Sequence, residues 1–447
     1  MERGKTNRID RLTRRDFMKG AAAAAAFAVV PGRVLGANAP SGKLNIAAVG
    51  SGGMGGGNIN GCKHENIIAL CDADWAKADG TFKQFPNAKK FWDCRKMLDE
   101  MGDKIDAVIV ATPDHFHTVA AMAAIKKRKH VYVQKPLTRT VYEARMLTEA
   151  ARKYKVKTQM GNQGHSREGV RLICEWIWDG AIGEVREVHA WTNRPVWPQG
   201  IGRPTETPPV PKTLNWDIWV GPSPMRPYHP AYLPFKWRGW WDFGCGALGD
   251  MACHVLDPVV WALKLKYPIA VQADATEVNN ETFPKASTVK YDFPARSGMP
   301  PVRVTWYDGG RKPPRPAALE AGRKLDQASS NVLFIGSKGV LRCGEYGDSP
   351  RLIPESKMKA YKRPPKTLPR VNGSHEQNWI DACKGKLDQA CSYFDYSGPF
   401  TEFVVMGNLA LRRLGKRLEW DGKNMRFTND DEANKYVNLP YRSGWSL

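Results

Sequence analysis

A glycine-rich turn directly after a short apolar run constrains the fold of this chain more than any other feature of its sequence. Residues 44–50 read LNIAAVG, which is typical of a strand buried on both faces of a parallel sheet. The next residues complete the pattern G-x-G-x-x-G, with glycines at Gly50, Gly52 and Gly55. Such glycines permit a tight turn, a close approach of backbone N–H groups to a pyrophosphate, and packing of a helix on the strand. The sequence therefore predicts a Rossmann unit that binds a dinucleotide.

An acidic residue after the next predicted strand indicates which dinucleotide is bound. The strand is expected at 67–71, and Asp72 follows it, 22 residues after Gly50. A carboxylate at this place can hold both hydroxyls of the adenosine ribose, and it repels a 2′-phosphate. We therefore expect NAD as the cofactor, and NADP is less favoured.

Further short apolar runs alternate with helical segments in the same part of the chain. Strands are predicted at 106–111, 130–133 and 157–160, and helices at 118–128 and 141–154. Strands that alternate with helices indicate a doubly wound, mostly parallel sheet. Residues 41–163 are therefore predicted to form the Rossmann domain.

The chain changes character after residue 163. Residues 185–241 are rich in Trp, Pro, Arg and His, and we expect long ordered loops around a site there. Helices are predicted at 167–178, 247–263, 374–383 and 401–414, and strands at 269–278, 287–293, 302–307, 332–335 and 339–342. This order predicts an α+β second domain over 164–447, with an open, mostly antiparallel sheet for substrate binding and oligomerisation. The fold class of the whole chain is α/β.

The N-terminal residues have the pattern of a targeting signal. The pair Arg14-Arg15 is followed by Phe17 and Lys19, then by an Ala-rich apolar stretch at 20–30 and by Ala-Asn-Ala at 37–39. This arrangement resembles a twin-arginine signal over residues 1–39, which predicts export to the periplasm. The alternative is a basic N-terminal arm with a chance alanine run. No uncharged apolar run reaches ~18 residues, so no stable membrane span is expected after removal of the signal.

The chain is strongly basic, with a formal net charge of +22. Such a surface can attract anions, and an acidic or sulfated glycan is one candidate partner. A solvated basic surface is the simpler interpretation. The sequence contains no signature of a helix-turn-helix, RRM or zinc finger, so we expect no nucleic-acid partner.

Nine cysteines are present, an odd number for an exported chain, so at least one is free or pairs between chains. Cys71 falls inside a predicted buried strand and is expected to be an inert core thiol. Cys245, Cys253 and His254 are close in sequence, but the chain has no C-x-x-C pair, and no metal site is predicted.

Three further motifs complete the pattern. They are Thr112-Pro113-Asp114-His115-Phe116-His117, Gln134-Lys135-Pro136, and the segment 246–254, in which Asp250 and His254 would share one helix face. Together with Gly161-Asn162-Gln163, they resemble the glucose–fructose oxidoreductase / inositol dehydrogenase / MocA family across residues 43–420. The usual Glu-Lys-Pro motif of that family begins here with Gln134, which removes a negative charge beside Lys135.

The resemblance implies roles for individual residues. Lys135 would lie near the nicotinamide and orient the substrate hydroxyl, His254 would be the general acid–base, and Asp250 would orient the substrate or His254. The residues expected to contact the cofactor are Gly50, Gly52, Gly53, Met54, Gly55, Asp72, Thr112, His117, Gln134 and Asn162. The residues expected to contact the substrate are His165, Arg194, Trp197, Trp237 and Trp240, because aromatic rings stack on sugars and Arg and His bind hydroxyl or acidic groups. A structural role is the alternative for each of them.

The resemblance also implies hydride transfer between NAD and a sugar or glycoside hydroxyl, with carbon 3 favoured. Because free NAD is scarce in the periplasm, we expect a tightly held cofactor loaded before export. A second carbonyl substrate could then regenerate the cofactor. Two alternatives remain open, namely NAD-dependent, redox-neutral glycoside hydrolysis or lysis, and a non-catalytic sugar-binding module. The expected partner is a small carbohydrate, and the expected assembly is a homo-oligomer, a dimer or a tetramer.

Overall fold

The apolar run before the glycine-rich turn forms β1 (Asn45–Val49), which lies inside a sheet of six parallel strands. The others are β2 (Asn66–Cys71), β3 (Lys89–Phe91), β4 (Ala107–Val110), β5 (His130–Val133) and β6 (Thr158–Met160). The strand order is β3-β2-β1-β4-β5-β6, so the winding reverses between β1 and β4. In such sheets ligands bind at this reversal, outside the carboxyl ends of the strands.

This computed structural model describes residues 42–325 and 329–447, and residues 44–447 form one unit. The predicted signal at 1–39 lies outside the described residues. Among the helices of the described part, none is long and apolar enough to cross a membrane.

Five helices connect the strands of the first sheet. They are α1 (Met54–Gly61), α2 (Trp75–Gln84), α3 (Cys94–Met101), α4 (Asp114–Lys126) and α5 (Val141–Tyr154). The start of α5 is fixed by a capping box, in which the Thr140 hydroxyl accepts from the Glu143 N–H and the Glu143 carboxylate accepts from the Thr140 N–H. Such a local signal explains why the predicted bounds of this helix match the structure.

The second sheet has nine strands in the order β13-β12-β11-β7-β10-β9-β8-β14-β15. They are β7 (Val185–Thr192), β8 (Ala270–Ala275), β9 (Ser287–Phe293), β10 (Val302–Tyr307), β11 (Ser330–Gly336), β12 (Gly339–Gly344), β13 (Arg351–Ile353), β14 (Arg417–Asp421) and β15 (Arg426–Phe427). Within the described residues β7 and β10 pair in parallel, and the other pairs are antiparallel. The predicted α/β fold, with a Rossmann sheet and a mostly antiparallel second sheet, is confirmed.

The long loops predicted at 185–241 are interrupted by regular structure. The segment begins with β7, which is central in the second sheet, and it includes the short helix α7 (Trp216–Val220). The prediction was wrong for β7 because the exposed charges of Arg186 and Glu187 disguise a strand whose last five residues are all buried. The α6 helix (Glu168–Trp178) precedes this strand.

The single helix predicted at 247–263 is two helices, α8 (Gly246–Val255) and α9 (Asp257–Ala262). Pro258 lies in the first turn of α9, where its missing N–H costs nothing, and a new helix therefore begins there. The remaining helices of the described chain are α10 (Glu355–Ala360), α11 (His375–Cys383), α12 (Phe394–Leu411) and α13 (Asp431–Asn434). The α12 helix starts seven residues before the predicted 401.

The C-terminal part of the chain returns to the first sheet. Trp379 and Ile380 of α11 are buried in one apolar cluster with Ile46 of β1 and Leu70 of β2. The α12 helix packs on α5 and α8 and also contacts β8 of the second sheet. The two sheets are thus joined by shared helices, which fixes the position of the ends of β1 and β4 relative to α8.

Candidate active site

A cavity of about 1350 Å³, including the part that is open to solvent, lies at the carboxyl ends of the central parallel strands. Val49, Cys71, Ala111 and Gln134 mark the ends of β1, β2, β4 and β5 on its wall. The opposite wall comes from residues 218–219, 233–235 and 237–238, which follow the Rossmann part of the chain. One continuous space therefore joins the glycine-rich turn to residues from the second part of the chain.

The glycine-rich turn leaves room that side chains would fill. Gly50 has φ of +85°, and a Cβ atom added there would lie 2.4 Å from the carbonyl oxygen of Ala111. A Cβ atom on Gly55 would lie 2.0 Å from the carbonyl oxygen of Gly50. The chain passes from β1 into α1 without side chains at these points, and Gly52, Gly53 and Met54 line the cavity. This shape fits the pyrophosphate of a dinucleotide at the start of a helix.

Asp72 is held by backbone donors at the same end of the cavity. Its Oδ2 accepts from the N–H groups of Ser51 (2.6 Å) and Gly52 (3.2 Å), and its Oδ1 accepts from the N–H of Asp74 (2.8 Å). Burial raises the pKa of Asp72 to about 6, although these donors oppose the shift. The carboxylate lines the cavity, where it can meet a ribose.

An aromatic pair that sequence reasoning missed lies at this end. The rings of Trp75 and Trp92 stack 4.2 Å apart with an interplanar angle of 4°, and Trp92 lines the cavity together with Lys77. Trp92 belongs to no motif of the chain, so nothing in the sequence marked it.

The other end of the cavity is built around Asp250 of α8. The Lys135 Nζ donates to the backbone carbonyl of Asp250 (2.8 Å) and to its Oδ1 (2.9 Å), and the Arg238 Nε donates to the same Oδ1 (2.9 Å). Burial alone would raise the pKa of Asp250, but the charges of Lys135 and Arg238 outweigh it and hold the pKa well below its usual range. Lys135 and Arg238 line the cavity. Asp250 itself is not among the residues that line the cavity.

His254 follows one turn later on α8 and is only 5% exposed. Burial and then the charge of Lys135 move the pKa of His254 well below its usual value, so its imidazole is neutral near pH 7. Its Nδ1 is buried and has no hydrogen-bond partner among the described residues, and its ring meets Tyr346 edge to face at 4.9 Å. His254 lies behind the cavity wall. Tyr346, which covers it, was not predicted from the sequence.

Asp114 is a titratable residue on the wall to which we assigned no role. It is the first residue of α4, is 3% exposed, and faces Arg238, Asp250, Lys135 and the Cys245 thiol. Burial raises the pKa of Asp114 to about 7, despite the opposing charge of Arg238. Its position within the motif at 112–117 could have drawn attention to it.

The other predicted cofactor residues divide into two groups. Thr112 and Gln134 line the cavity, and the Gln134 Nε2 donates to the Asn58 Oδ1 (2.8 Å). His117 and Asn162 are buried away from the wall. The ring nitrogens of His117 contact the backbone oxygens of Pro136 (2.8 Å) and Thr112 (2.9 Å). His117 thus bridges these two turns, and its expected contact with the cofactor stays a prediction.

A buried hydrogen-bond network takes up Asn162 and His165. The Asn162 Nδ2 donates to the Asp257 Oδ1 (3.2 Å), and the His165 Nδ1 contacts the same oxygen at 2.9 Å. The Ser392 hydroxyl donates to the Asn162 Oδ1 (2.6 Å). Both side chains are buried and are not among the residues that line the cavity, and their expected ligand contacts stay predictions.

Of the remaining predicted substrate residues, Trp237 lies on the cavity wall, with the Arg238 guanidinium 4.2 Å from its ring centre. Trp197 is buried, and its Nε1 donates to the Gln199 Oε1. Trp240 has 0% exposure inside an aromatic cluster, so no ring face is free for a sugar. Arg194 is half-buried away from the wall. Trp197 and Trp240 thus pack inside the protein, and their expected substrate contacts stay predictions.

Comparison with protein-family profiles agrees with this architecture. Residues 44–162 match the NAD-binding Rossmann fold of the Gfo/Idh/MocA oxidoreductase family, and residues 186–297 match the C-terminal alpha/beta domain of the same family. The chain belongs to this oxidoreductase family. Residues 11–31 match the signal sequence of the twin-arginine translocation pathway, so the predicted export signal is confirmed.

The individual proteins that match this chain have low sequence identity to it and match only part of its length. Levoglucosan dehydrogenase of Pseudarthrobacter phenanthrenivorans is 26% identical over 192 residues, which cover 43% of this chain and 40% of the relative. Glucose-6-phosphate 3-dehydrogenase of Bacillus subtilis is 25% identical over 146 residues, covering 32% of this chain and 40% of the relative. The chain thus matches about two fifths of the length of these curated relatives.

A solved structure shares the fold over a larger part of the chain. The WlbA dehydrogenase from Bordetella pertussis, crystallised in complex with NADH and UDP-GlcNAcA, has a TM-score of 0.58 to this structure. The sequence identity is 16%, and the match covers 85% of this chain and 99% of the other. At this identity the likeness establishes the fold alone.

Proposed function

We propose that this chain is an exported oxidoreductase that transfers hydride between a hydroxyl of a sugar or glycoside, at carbon 3, and a tightly bound NAD. One observation carries the proposal. A single cavity is lined at one end by the glycine-rich turn and Asp72, and at the other by Lys135 and Arg238, which are paired to Asp250. The groups that would bind the dinucleotide and the groups that would take part in proton transfer thus meet at the same cavity.

The residues at the first end fit NAD. The turn at Gly50 and Gly52 would take the pyrophosphate, and Asp72 would take the adenosine ribose and disfavour a 2′-phosphate. Bound NAD would supply a nicotinamide ring that accepts the hydride from the substrate carbon. Export supports tight binding, because the compartment reached by the twin-arginine route offers little free cofactor.

The residues at the second end manage the proton and the orientation of the substrate. Lys135 can donate to the substrate hydroxyl while Asp250 balances its charge. His254 is a neutral imidazole with an unpaired Nδ1, one helical turn from Asp250, and it can accept the hydroxyl proton. Since His254 lies behind the wall, this role requires Tyr346 or the substrate to open a path to its ring.

The substrate class rests on chemistry and on relatives. Trp237 offers an aromatic surface beside Arg238 on the cavity wall, which suits a sugar ring that carries hydroxyl or acidic groups. Two matched relatives are named as sugar dehydrogenases, and the name of one specifies carbon 3. Assembly into a dimer or tetramer is proposed from the family resemblance alone, because the less buried positions of β9, Thr288, Lys290 and Asp292, are polar.

The test uses the protein exported to the periplasm and purified without added nucleotide. We expect mass spectrometry of the denatured protein to find about one NAD(H) per chain, and the intact protein to change its reduced-nicotinamide absorbance when glucosides are added. The variant Lys135→Met should retain the nucleotide and lose the response, whereas Lys126→Met, at an exposed site at the end of α4, should retain both. Absence of any bound or bindable nucleotide would refute the proposal. Catalytic release of free aglycone would replace it by redox-neutral glycoside cleavage.

A further inference from the structure

The buried carboxyl of Asp114 has no part in the function proposed so far. It lies on the cavity wall next to Lys135 and Arg238, at the end that would receive the nicotinamide and the sugar. The charged and thiol groups that interact with it come from three neighbouring segments. They are Arg238 before α8, Cys245 at the start of α8, Asp250 and Cys253 within α8, and Lys135 after β5.

Two carboxyls therefore face Lys135, and their surroundings differ. Asp250 receives hydrogen bonds from both Lys135 and Arg238 and is held as a carboxylate. Asp114 receives neither of these bonds, and the Cys245 thiol beside it is a weak donor whose contact is with the Thr138 carbonyl at 4.0 Å. Burial raises the pKa of Asp114 to about 7, so both of its protonation states are accessible near neutral pH. Of these two groups, Asp114 is the one that can change its charge during a reaction.

We propose that Asp114 stores the proton of the substrate hydroxyl while the bound cofactor holds the hydride. This inference rests on the proposed function. In the oxidation, the C–H bond of the sugar breaks and its electron pair leaves with the hydrogen as hydride to NAD⁺. The O–H bond also breaks, its electron pair completes the C=O bond, and the proton ends on the Asp114 carboxylate. The products are the ketone, NADH and a neutral carboxyl, so atoms, electrons and charge balance without release of a proton to solvent.

Electrostatics supports this coupling. The positively charged nicotinamide of NAD⁺ favours a carboxylate nearby, and the neutral ring of NADH removes that preference. Because Asp114 is shielded from water, the change of charge acts strongly on it. His254 accepts the hydroxyl proton only in passing and does not store it, because its depressed pKa makes it release a proton near neutral pH. Lys135 and Asp250 interact electrostatically with both His254 and Asp114, so the two proton-binding residues share the same neighbours.

Such a store suits a cofactor that never leaves the protein. A second carbonyl substrate would receive the hydride from NADH and the proton from Asp114, and both would return to their starting states. The protein would thus transfer one hydride and one proton from the first substrate to the second inside one cavity.

The experiment is infrared difference spectroscopy of the full mature chain loaded with NAD⁺ and, separately, with NADH, at pH 7. The C=O stretch of a neutral carboxyl should appear in the NADH form and shift in heavy water. We expect the ratio of carboxyl to carboxylate at this residue to rise at least about tenfold from the NAD⁺ form to the NADH form. No sugar is needed, so the readout does not depend on turnover.

Two variants assign the signal. Asp114→Asn keeps the size of the side chain and cannot titrate, so the redox-dependent band should vanish. Asp308→Asn removes another buried carboxyl, which is bonded to Ser287 and Trp306 away from the cavity, and the band should persist. The expected contact of Asp72 with the ribose is the same in the NAD⁺ and NADH forms, so its contribution cancels in the difference spectrum.

The outcomes separate the two proposals. If both nucleotides bind and wild-type protein shows no redox-dependent carboxyl band, or if the band survives in Asp114→Asn, the proton store is refuted and the oxidoreductase remains. If neither nucleotide binds, the proposed function fails and the inference fails with it. Should Asp114→Asn fold poorly, absence of the band from the wild-type spectrum still refutes the proton store, and Asp114→Ala takes its place in assigning a band that is present.

Discussion

The two ends of the cavity are built in different ways. The nucleotide end depends on the backbone, where the turn at Gly50 and Gly55 has no space for a Cβ atom and backbone N–H groups hold Asp72. The chemical end depends on side chains brought from separate segments, with Lys135 and Arg238 both bonded to Asp250. The first end therefore tolerates no added atoms. The chemical end should tolerate changes in side-chain shape, and it should lose activity when a charged or titratable side chain is removed.

The largest effect is expected from Gly50→Ala. Its Cβ would lie 2.4 Å from the Ala111 carbonyl oxygen, at a φ that side chains rarely adopt, so the turn must rearrange. We expect nucleotide affinity to fall at least roughly 100-fold, which is about 2.7 kcal/mol, and activity to be lost with it. Calorimetric titration with NAD measures this. Gly57→Ala is the matched control, because a Cβ there meets nothing within 4 Å, and unchanged affinity in Gly50→Ala would contradict the backbone account.

The second effect concerns the chemical end. His254→Gln keeps a hydrogen-bonding side chain but removes the proton acceptor, so kcat should fall by roughly 10²- to 10⁴-fold. Affinity for NAD should stay within about twofold, because His254 lies on α8 beside Asp250 and is not among the residues that line the cavity. Steady-state kinetics with parallel nucleotide titration tests this. Equal losses in binding and turnover would show that the two ends are not separable.

A third effect appears in stability. The pKa of Asp114 is raised from 3.8 to about 7 in the folded state, so its ionisation is penalised by folding. Stability should fall as pH rises from about 4 through 7, and the deficit should be full above pH 7. Asp114→Asn should therefore be more stable than wild type at pH 8, by on the order of 4 kcal/mol, and nearly equal to it at pH 4. Denaturant unfolding at both pH values measures the difference, and a variant that loses stability at pH 8 would rule out the buried-carboxyl account.

The smallest effect sharpens the role of charge at the nucleotide end. Asp72→Asn retains the size of the side chain but removes the repulsion of a 2′-phosphate. We expect the affinity for NADP relative to NAD to rise about tenfold, or about 1.4 kcal/mol. Fluorescence titration with both nucleotides measures the ratio. The control variant Asp79→Asn, on the exposed side of α2, should leave the ratio of NADP affinity to NAD affinity unchanged. An unchanged ratio in Asp72→Asn would show that this carboxylate serves only to hold the turn.

The sequence predicted the nucleotide end well because its determinants are local. The glycines, the strand that precedes them and Asp72 lie within one βαβ unit, and the turn needs glycine for reasons that any chain obeys. The capping box at Thr140 and Glu143 likewise fixed α5 within its own residues. Strand β7 was missed because tertiary burial, rather than local pattern, makes it a strand.

The chemical end could be predicted only in part. The i, i+4 spacing placed Asp250 and His254 on one helix face, but nothing local indicated that Lys135 and Arg238 would share one oxygen of Asp250. The position of Trp240 inside an aromatic cluster could not be foreseen, because a tryptophan in a loop looks the same in sequence whether it packs inside or faces a ligand. Tyr346 arrives from the turn after β12, and only the folded chain brings it onto His254.

The central claim is that hydride passes from a sugar carbon to a nicotinamide held in this cavity. The most direct measurement is to incubate the exported protein with a glucoside deuterated at carbon 3 and to determine the mass of the nucleotide released on denaturation by mass spectrometry. The account predicts reduced nicotinamide that carries one deuterium per molecule, and none in Lys135→Met. Reduced cofactor without deuterium would move the chemistry to another carbon, and a cofactor that stays oxidised with every sugar tested would contradict the claim.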